Sequence, residues 1–206
     1  YGTAKTYAEL TDLTTFKEAW GDTIDDLGGT ESVWRIYDGF TTPLLRAFLT
    51  PLALDVEDAQ ATYDGKAHGG SDFAFAEETY DTSAVFGTGA VAGGGVDAGS
   101  YTLTVSGLYS HQLGYDLVVN TGTLTIDPRI ISLSGSRTYD GSVNLEAGIF
   151  ALSNLVAGET LVLAGTGTMD DKHVGEGKTV TLGGLTLQDG VGGKASNYTL
   201  VGGTHT

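Results

Sequence analysis

From Leu52 onward, apolar and polar residues alternate with a period of two. Leu52, Leu54 and Val56 fall on one face, with Asp55 and Glu57 on the other. Tyr101, Leu103 and Val105 alternate with Thr102, Thr104 and Ser106, and Tyr115, Leu117 and Val119 precede Leu124 and Ile126. The same logic returns in Ile131 and Leu133, Leu161 and Leu163, Val180 and Leu182, and Tyr198 and Leu200. Successive strand side chains point to opposite faces, so each run predicts a short strand with one buried side. Gly, Asp and Asn separate the runs, and no long 3.6-residue spacing competes with them. The pattern predicts an all-β fold of tandem small modules, either sandwiches or β-grasp-like sheets.

Residues 1–51 read differently. Thr15-Phe16-Lys17-Glu18 fits a capping box with Thr15 at the N-cap, which predicts a short helix from Phe16 to about Trp20. Val33-Trp34-Arg35-Ile36-Tyr37 alternates like a strand and runs into an Asp38-Gly39 turn. Pro43 and Pro51 bracket Leu44-Leu45-Arg46-Ala47-Phe48-Leu49, which predicts an edge strand or capping segment. Alone this piece is too small to bury a good core, and it reads as the end of something longer.

The chain also repeats itself. Ala61-Thr62-Tyr63-Asp64-Gly65 returns 76 residues later as Arg137-Thr138-Tyr139-Asp140-Gly141. Asp97 to Leu108 returns more loosely as Val174 to Leu185, at an offset of 77. Two markers at nearly one offset indicate tandem modules of small-domain size. The expected boundaries are 1–51, 52–128 and 129–206, with Asp127-Pro128-Arg129 as a short junction and a last strand that stops at Thr206. Without Met at position 1, the chain reads as a fragment or processed product.

Composition refines this picture. Gly is 32 of 206 residues, about twice the roughly 7% norm, and it is scattered through the alternation as tight turns and bulges require. Cysteine is absent, which leans away from a disulfide-built eukaryotic module and toward a cytosolic or bacterial surface protein. The net charge of −16 is uneven: 11 acids face one base in residues 52–128, against 8 to 4 before and 7 to 5 after. Such a surface repels nucleic acid and anionic lipid. The longest apolar stretch, Leu44 to Leu54, is broken by Arg46 and Pro51, so no membrane insertion is expected.

Candidate chemistry is sparse. Gly175-Glu176-Gly177-Lys178-Thr179 looks like the tail of a phosphate loop, but Lys172 stands where its first Gly belongs and a strand pattern follows. Gly87-Thr88-Gly89-Ala90-Val91-Ala92 mimics a dinucleotide fingerprint, yet Gly93-Gly94-Gly95 follows where a helix must start. His68, His111, His173 and His205 lack ligand spacing, so zinc is not expected. Asp55, Glu57 and Asp58, and separately Asp170-Asp171, leave calcium open as an alternative, without a complete loop motif. Nothing selects a carboxylate pair for glycoside hydrolysis, so no enzyme and no cofactor is expected. In the repeated turn, Asp accepts from nearby backbone N–H groups, Gly supplies positive φ and the Tyr ring covers the sheet. Tyr63, Asp64, Gly65, Tyr139, Asp140 and Gly141 are therefore read as structural-motif residues, with saccharide stacking by the tyrosines as the alternative.

These phrases carry a family resemblance. Thr62-Tyr63-Asp64-Gly65, Asp97-Ala98-Gly99-Ser100-Tyr101-Thr102-Leu103, Ser106-Gly107-Leu108 and Gly122-Thr123-Leu124-Thr125-Ile126 resemble the MBG-type repeat domain. Arg137 to Gly141, Gly158-Glu159-Thr160-Leu161, Gly165-Thr166-Gly167 and Asn197-Tyr198-Thr199-Leu200 are similar to the YDG domain. Trp34 to Leu45 resembles the segment that closes the β-helical shaft of filamentous-haemagglutinin-like adhesins. The resemblance implies a secreted, bacterial cell-surface location reached by two-partner secretion through an outer-membrane partner. It further implies stalk or presentation modules for adhesion or biofilm formation. The implied partners are exopolysaccharide, a host-surface glycan or a host protein. A dedicated carbohydrate- or calcium-binding module is the alternative, and a polysaccharide-active enzyme the third reading.

Overall fold

A computed structural model describes residues 4–206. Among them regular structure is predominantly strand, interrupted by two short helices and single 3-10 turns, so the fold is all-β. Contacts divide the chain into two compact units. One comprises the chain up to Ala59, Gly69–Gly94 and Tyr101–Leu124. The other comprises Gln60–His68, Gly95–Ser100 and Thr125–Thr206. Two segments of the first sequence repeat thus belong to the same unit as the whole of the second.

The first unit opens with α1 (Tyr7–Leu10) and α2 (Leu13–Trp20). The helix does not begin at Phe16 behind a Thr15 cap. Helix α2 starts at Leu13, and its N-cap is Asp12, whose carboxylate accepts from Thr14 N at 2.8 Å and Thr14 Oγ1 at 2.7 Å. Asp12 takes the free N–H groups one turn earlier than Thr15 could. The capping box instead sits on α1, where Thr6 and Glu9 satisfy each other's backbone. Phe16, Trp20 and Trp34 then pack in series as tilted rings, with centroids 5.1 and 5.2 Å apart.

Strands β1 (Ile24–Asp25), β2 (Trp34–Arg35) and β3 (Leu44–Leu45) form a three-stranded sheet. The expected strand over 33–37 is only two residues long, and the expected edge strand over 44–49 turns into a 3-10 helix at Arg46–Phe48. The reason is Arg46: its side chain turns inward to carboxylates and leaves the strand direction. Next come β4 (Thr50–Val56), β5 (Ala59–Thr62), β6 (Phe73–Phe75), β7 (Phe86–Ala92), β8 (Gly99–Tyr109), β9 (Tyr115–Asn120) and β10 (Gly122–Asp127). Strand β4 is central, paired antiparallel with β6 and parallel with β9. Leu52, Leu54 and Val56 are buried and Asp55 is exposed, as alternation requires. Gly28 passes so close to β9 that a Cβ there would lie 1.9 Å from the Leu117 carbonyl oxygen. The dinucleotide-like Gly87–Ala92 run lies inside β7, where a register shift between Gly87 and Ala90 bends the strand against β8.

The second unit is a set of small sheets built from β11 (Arg129–Ile130), β12 (Ser132–Gly135), β13 (Asn144–Glu146), β14 (Phe150–Ser153), β15 (Leu161–Ala164), β16 (Thr166–Met169), β17 (Val180–Thr181), β18 (Thr186–Asp189) and β19 (Tyr198–Thr199). β11 runs parallel to β19, while β12–β14, β13–β16–β17 and β15–β18 pair antiparallel. Ile131, Leu133, Leu145, Leu161, Val180, Leu185, Tyr198 and Leu200 are buried. Thr204 and His205 close against β12, with Leu133 N donating to the Thr204 carbonyl and to His205 Nδ1. His205 Nε2 therefore carries the proton and donates to the Leu200 carbonyl at 2.7 Å.

Candidate functional site

The two Tyr-Asp-Gly turns have one backbone geometry. Asp64 Oδ1 accepts from Lys66 N at 2.9 Å, and Asp140 Oδ1 accepts from Ser142 N at 2.8 Å. Gly65 and Gly141 sit at φ 78° and 77°, a region that costs an L-residue about 1–2 kcal/mol. The aspartate fixes the turn and the glycine lets it close. In the first turn the carboxyl group also meets His68 Nε2 at 2.9 Å, and in the second it meets Arg137 Nη1 at 2.9 Å. Hydrogen bonds from the Lys66 amide and from His68 hold Asp64 below the ordinary carboxylate range.

Their tyrosines have opposite environments. Tyr63 is buried within the second unit and packs edge-on to Tyr198, with ring centroids 5.4 Å apart. Its hydroxyl donates to Glu159 Oε1 at 2.6 Å, and the Tyr198 hydroxyl donates to Glu159 Oε2 at 2.7 Å. Val156 N donates to the Tyr198 hydroxyl at 3.0 Å, and Gly65 lies against Val156, whose Cγ1 would be 3.0 Å from an added Cβ. Burial and the Glu159 carboxylate push the Tyr63 phenol up to about 12. Burial and the same carboxylate raise Tyr198 as well. A phenol so held stays protonated and makes a poor base or nucleophile.

The second marker phrase is anchored nearby. Asn197 is fully buried; its Oδ1 accepts from Ala98 N at 2.8 Å and its Nδ2 donates to Asp97 Oδ1 at 2.9 Å. Lys194 pairs with the other Asp97 oxygen, and these two side chains hold Asp97 below the ordinary range. Residues 156–198 thus grip both repeated phrases of the first module, at Tyr63 and at Asp97-Ala98. In the sequence Glu159 and Asn197 stand out only as family signature, and Tyr198 also as one position of an alternating run. Their pairing with Tyr63 and Asp97 has no spacing signal, because the partners lie about a hundred residues apart.

Tyr139 is 60% exposed. It stands at the rim of a cavity of about 310 Å³, lined by Arg137, Phe150, Met169, His173 and Lys178 among others. Arg137 donates to the Asn144 carbonyl at 2.7 Å and to the Ser142 carbonyl, and Lys178 pairs with Asp171. The phosphate-loop-like 175–179 run is irregular backbone with no helix after it.

Among the described residues no group of three or more His, Asp or Glu side chains is arranged to hold a metal ion. Asp55 accepts from Asn120 Nδ2 and Asp58 from Thr123 N, each at 2.7 Å, while Asp171 accepts from His173 N at 2.7 Å.

One strongly coupled cluster escaped the sequence entirely. In the first unit Arg46 reaches Asp116 Oδ2 at 2.6 Å and Asp25 Oδ1 at 2.8 Å, and Arg35 Nε lies 3.3 Å from Asp116 Oδ1. Arg35 and Asp116 are buried, and the Arg35 guanidinium sits 4.1 Å above the Tyr37 ring. Asp116 also accepts from Gly29 N at 3.0 Å, and the Tyr37 hydroxyl bridges the Tyr115 carbonyl and Leu117 N. Two cations and two anions cancel, so the cluster organises the unit without leaving a net buried charge.

Against known proteins, a YDG domain is found at residues 120–206. The match begins in β9, ahead of the Asp127-Pro128-Arg129 junction. No curated protein and no solved structure matches the chain.

Proposed function

We propose that the chain is a non-catalytic portion of a secreted bacterial surface adhesin, whose MBG-like and YDG modules act as stalk or presentation units in adhesion or biofilm formation. The observation that carries this reading is the use made of the repeated turns. Glu159 spends both carboxylate oxygens on phenols, Asn197 is consumed by Asp97 and Ala98, and burial with the Glu159 carboxylate raises the Tyr63 and Tyr198 phenols. This polar chemistry is spent on holding segments together. The YDG domain and the 76-residue repetition suit a modular surface protein built for reach. In this reading the whole protein leaves the cell through an outer-membrane secretion partner and meets exopolysaccharide, a host glycan or a host protein.

Beads coated with the chain should adhere to polysaccharide- or cell-coated surfaces without releasing reducing sugar ends. Sugar release would overturn the non-catalytic part, and beads that bind nothing would reduce the role to spacing. A second reading, a dedicated saccharide-binding module, is favoured by the exposed Tyr139 ring beside its cavity. A glycan array run with and without Ca²⁺ tests it, and Tyr139→Ala should abolish any signal if that ring is the stacking platform.

A further inference from the structure

We propose that the Tyr139-Asp140-Gly141 turn is a docking element for another module of the 129–206 type. It would engage the face formed there by Val156, Glu159, Asn197 and Tyr198. The precedent lies inside this chain. The first turn shows what a Tyr-Asp-Gly turn does when satisfied: its phenol donates to Glu159, its ring packs edge-on to Tyr198, and its glycine closes against Val156.

The second turn reproduces the first at its Asp and Gly, although Ala61-Thr62 lie in β5 and Arg137-Thr138 lie outside any strand. Glycine φ is 77° against 78°, and the aspartate accepts from the amide two residues on at 2.8 against 2.9 Å. The tyrosine environments differ most. Tyr63 is 3% exposed and Tyr139 60%, and a Cβ on Gly141 would meet nothing nearer than Tyr139 Oη at 3.9 Å. A phenol set on a preorganised turn loses little conformational entropy on binding, which is the condition for an economical contact. In this chain the receiving face is already filled by Tyr63, so a second wild-type copy finds no vacancy. A further repeat, or a copy whose own Tyr63 is removed, offers one. The inference concerns contact between modules and holds whether or not the protein adheres to anything.

The test uses the full chain. Wild type should sediment as a monomer. Tyr63→Ala removes the ring and the phenol from Tyr198 and Glu159, so each molecule then carries one free Tyr139 and one free Glu159 oxygen. Such heterologous contacts do not close, so sedimentation velocity should show concentration-dependent growth into head-to-tail oligomers. The double variant Tyr63→Ala/Tyr139→Ala should return to monomer. A folded Tyr63→Ala variant that stays monomeric, or a double variant that associates equally, overturns the proposal.

Should Tyr63→Ala not fold, a chain carrying a second copy of residues 129–206 after Thr206 decides the matter. Nitration of Tyr139, read by mass spectrometry, should fall several-fold relative to the parent chain. It should recover when Glu159 of the added copy is replaced by Gln. Unchanged nitration overturns the proposal, and glycan binding lost in Tyr139→Ala with no self-association at any stage assigns the ring to a saccharide instead.

Discussion

Tyr63 and Glu159 are separated by 96 residues and joined by a hydrogen bond of 2.6 Å. The bond joins the two sequence repeats, because the phenol comes from the first and the carboxylate from the second. Tyr198 supplies the other Glu159 oxygen with a second phenol, so the carboxylate is bridged symmetrically and stays fully used.

This arrangement sets behaviour in alkali. With its folded value raised to about 12 from an ordinary 10, Tyr63 contributes stability that is fully present below pH 10 and lost as pH rises through 12. Absorbance at 295 nm should show that Tyr63 and Tyr198 ionise after the exposed tyrosines. Glu159→Gln should lower the Tyr63 value without restoring 10, since burial is the larger cause, and should cost about 1–3 kcal/mol. A Tyr63 phenol ionising at 10 in the wild type would contradict the assignment.

Gly65 and Gly141 should respond unequally to the same change. Both sit at positive φ, so Ala costs about 1 kcal/mol at either from backbone strain alone. At Gly65 the new methyl also meets Val156 Cγ1 at 3.0 Å, whereas Gly141 has open space. Urea unfolding should show the larger loss for Gly65→Ala, with Gly141→Val at about 1–3 kcal/mol. Equal losses would mean that the Val156 contact relaxes freely.

The Arg35–Asp116–Arg46 cluster predicts a severe single-site effect. Asp116→Asn keeps the shape but leaves a buried guanidinium without its counter-charge, which typically costs about 3–5 kcal/mol. Arg35→Met removes a charge with similar volume and should be milder when combined with Asp116→Asn than the sum of the two separately. Additive losses would show that these side chains do not act as a unit.

Acid should destabilise the fold through a different set of groups. Burial opposes ionisation of Asp25, but hydrogen bonds from Thr30, Ser32 and Leu27 N and the Arg46 charge outweigh it and hold the value down. Asp97 is held down by Lys194 and Asn197. Carboxyl groups depressed in the folded state add stability above their unfolded value, about 3.9, and lose it as pH falls through the folded one. Melting temperature should therefore be level from about pH 5 to neutrality and fall below about pH 4. In Asp25→Asn the fall should be shallower; an unchanged slope would remove Asp25 from the account.

The period-two face of Leu52, Leu54 and Val56 was legible because burial of one strand side leaves a local signature. The same holds for the repeated turn, whose Asp and Gly act within three residues of each other. Asp12 as N-cap is not singled out by the sequence, because Thr15 and Glu18 satisfy the same local rule, and local rules do not rank competing acceptors. Asp116 was hidden more deeply. It sits on β9 between half-buried Tyr115 and buried Leu117, and the two arginines that neutralise it come from β2 and the 3-10 helix after β3, 81 and 70 residues away. Nor does any spacing foretell that Tyr63 is enclosed and Tyr139 exposed. The two positions are identical as words and differ only in what the rest of the chain brings to them.

Drawing residues 60–68 and 95–100 into one unit with 125–206 also fixes an order of events in time. A chain emerging from its N-terminus has made Tyr63 and Asp97 long before Glu159, Asn197 and Tyr198 exist to receive them. Those early segments must wait, open, until residues 156–198 arrive, because closure over about a hundred residues is entropically costly and kinetically late. The unit completes itself backwards, and a pause or cut anywhere before Tyr198 leaves its first-made parts without a place to fold.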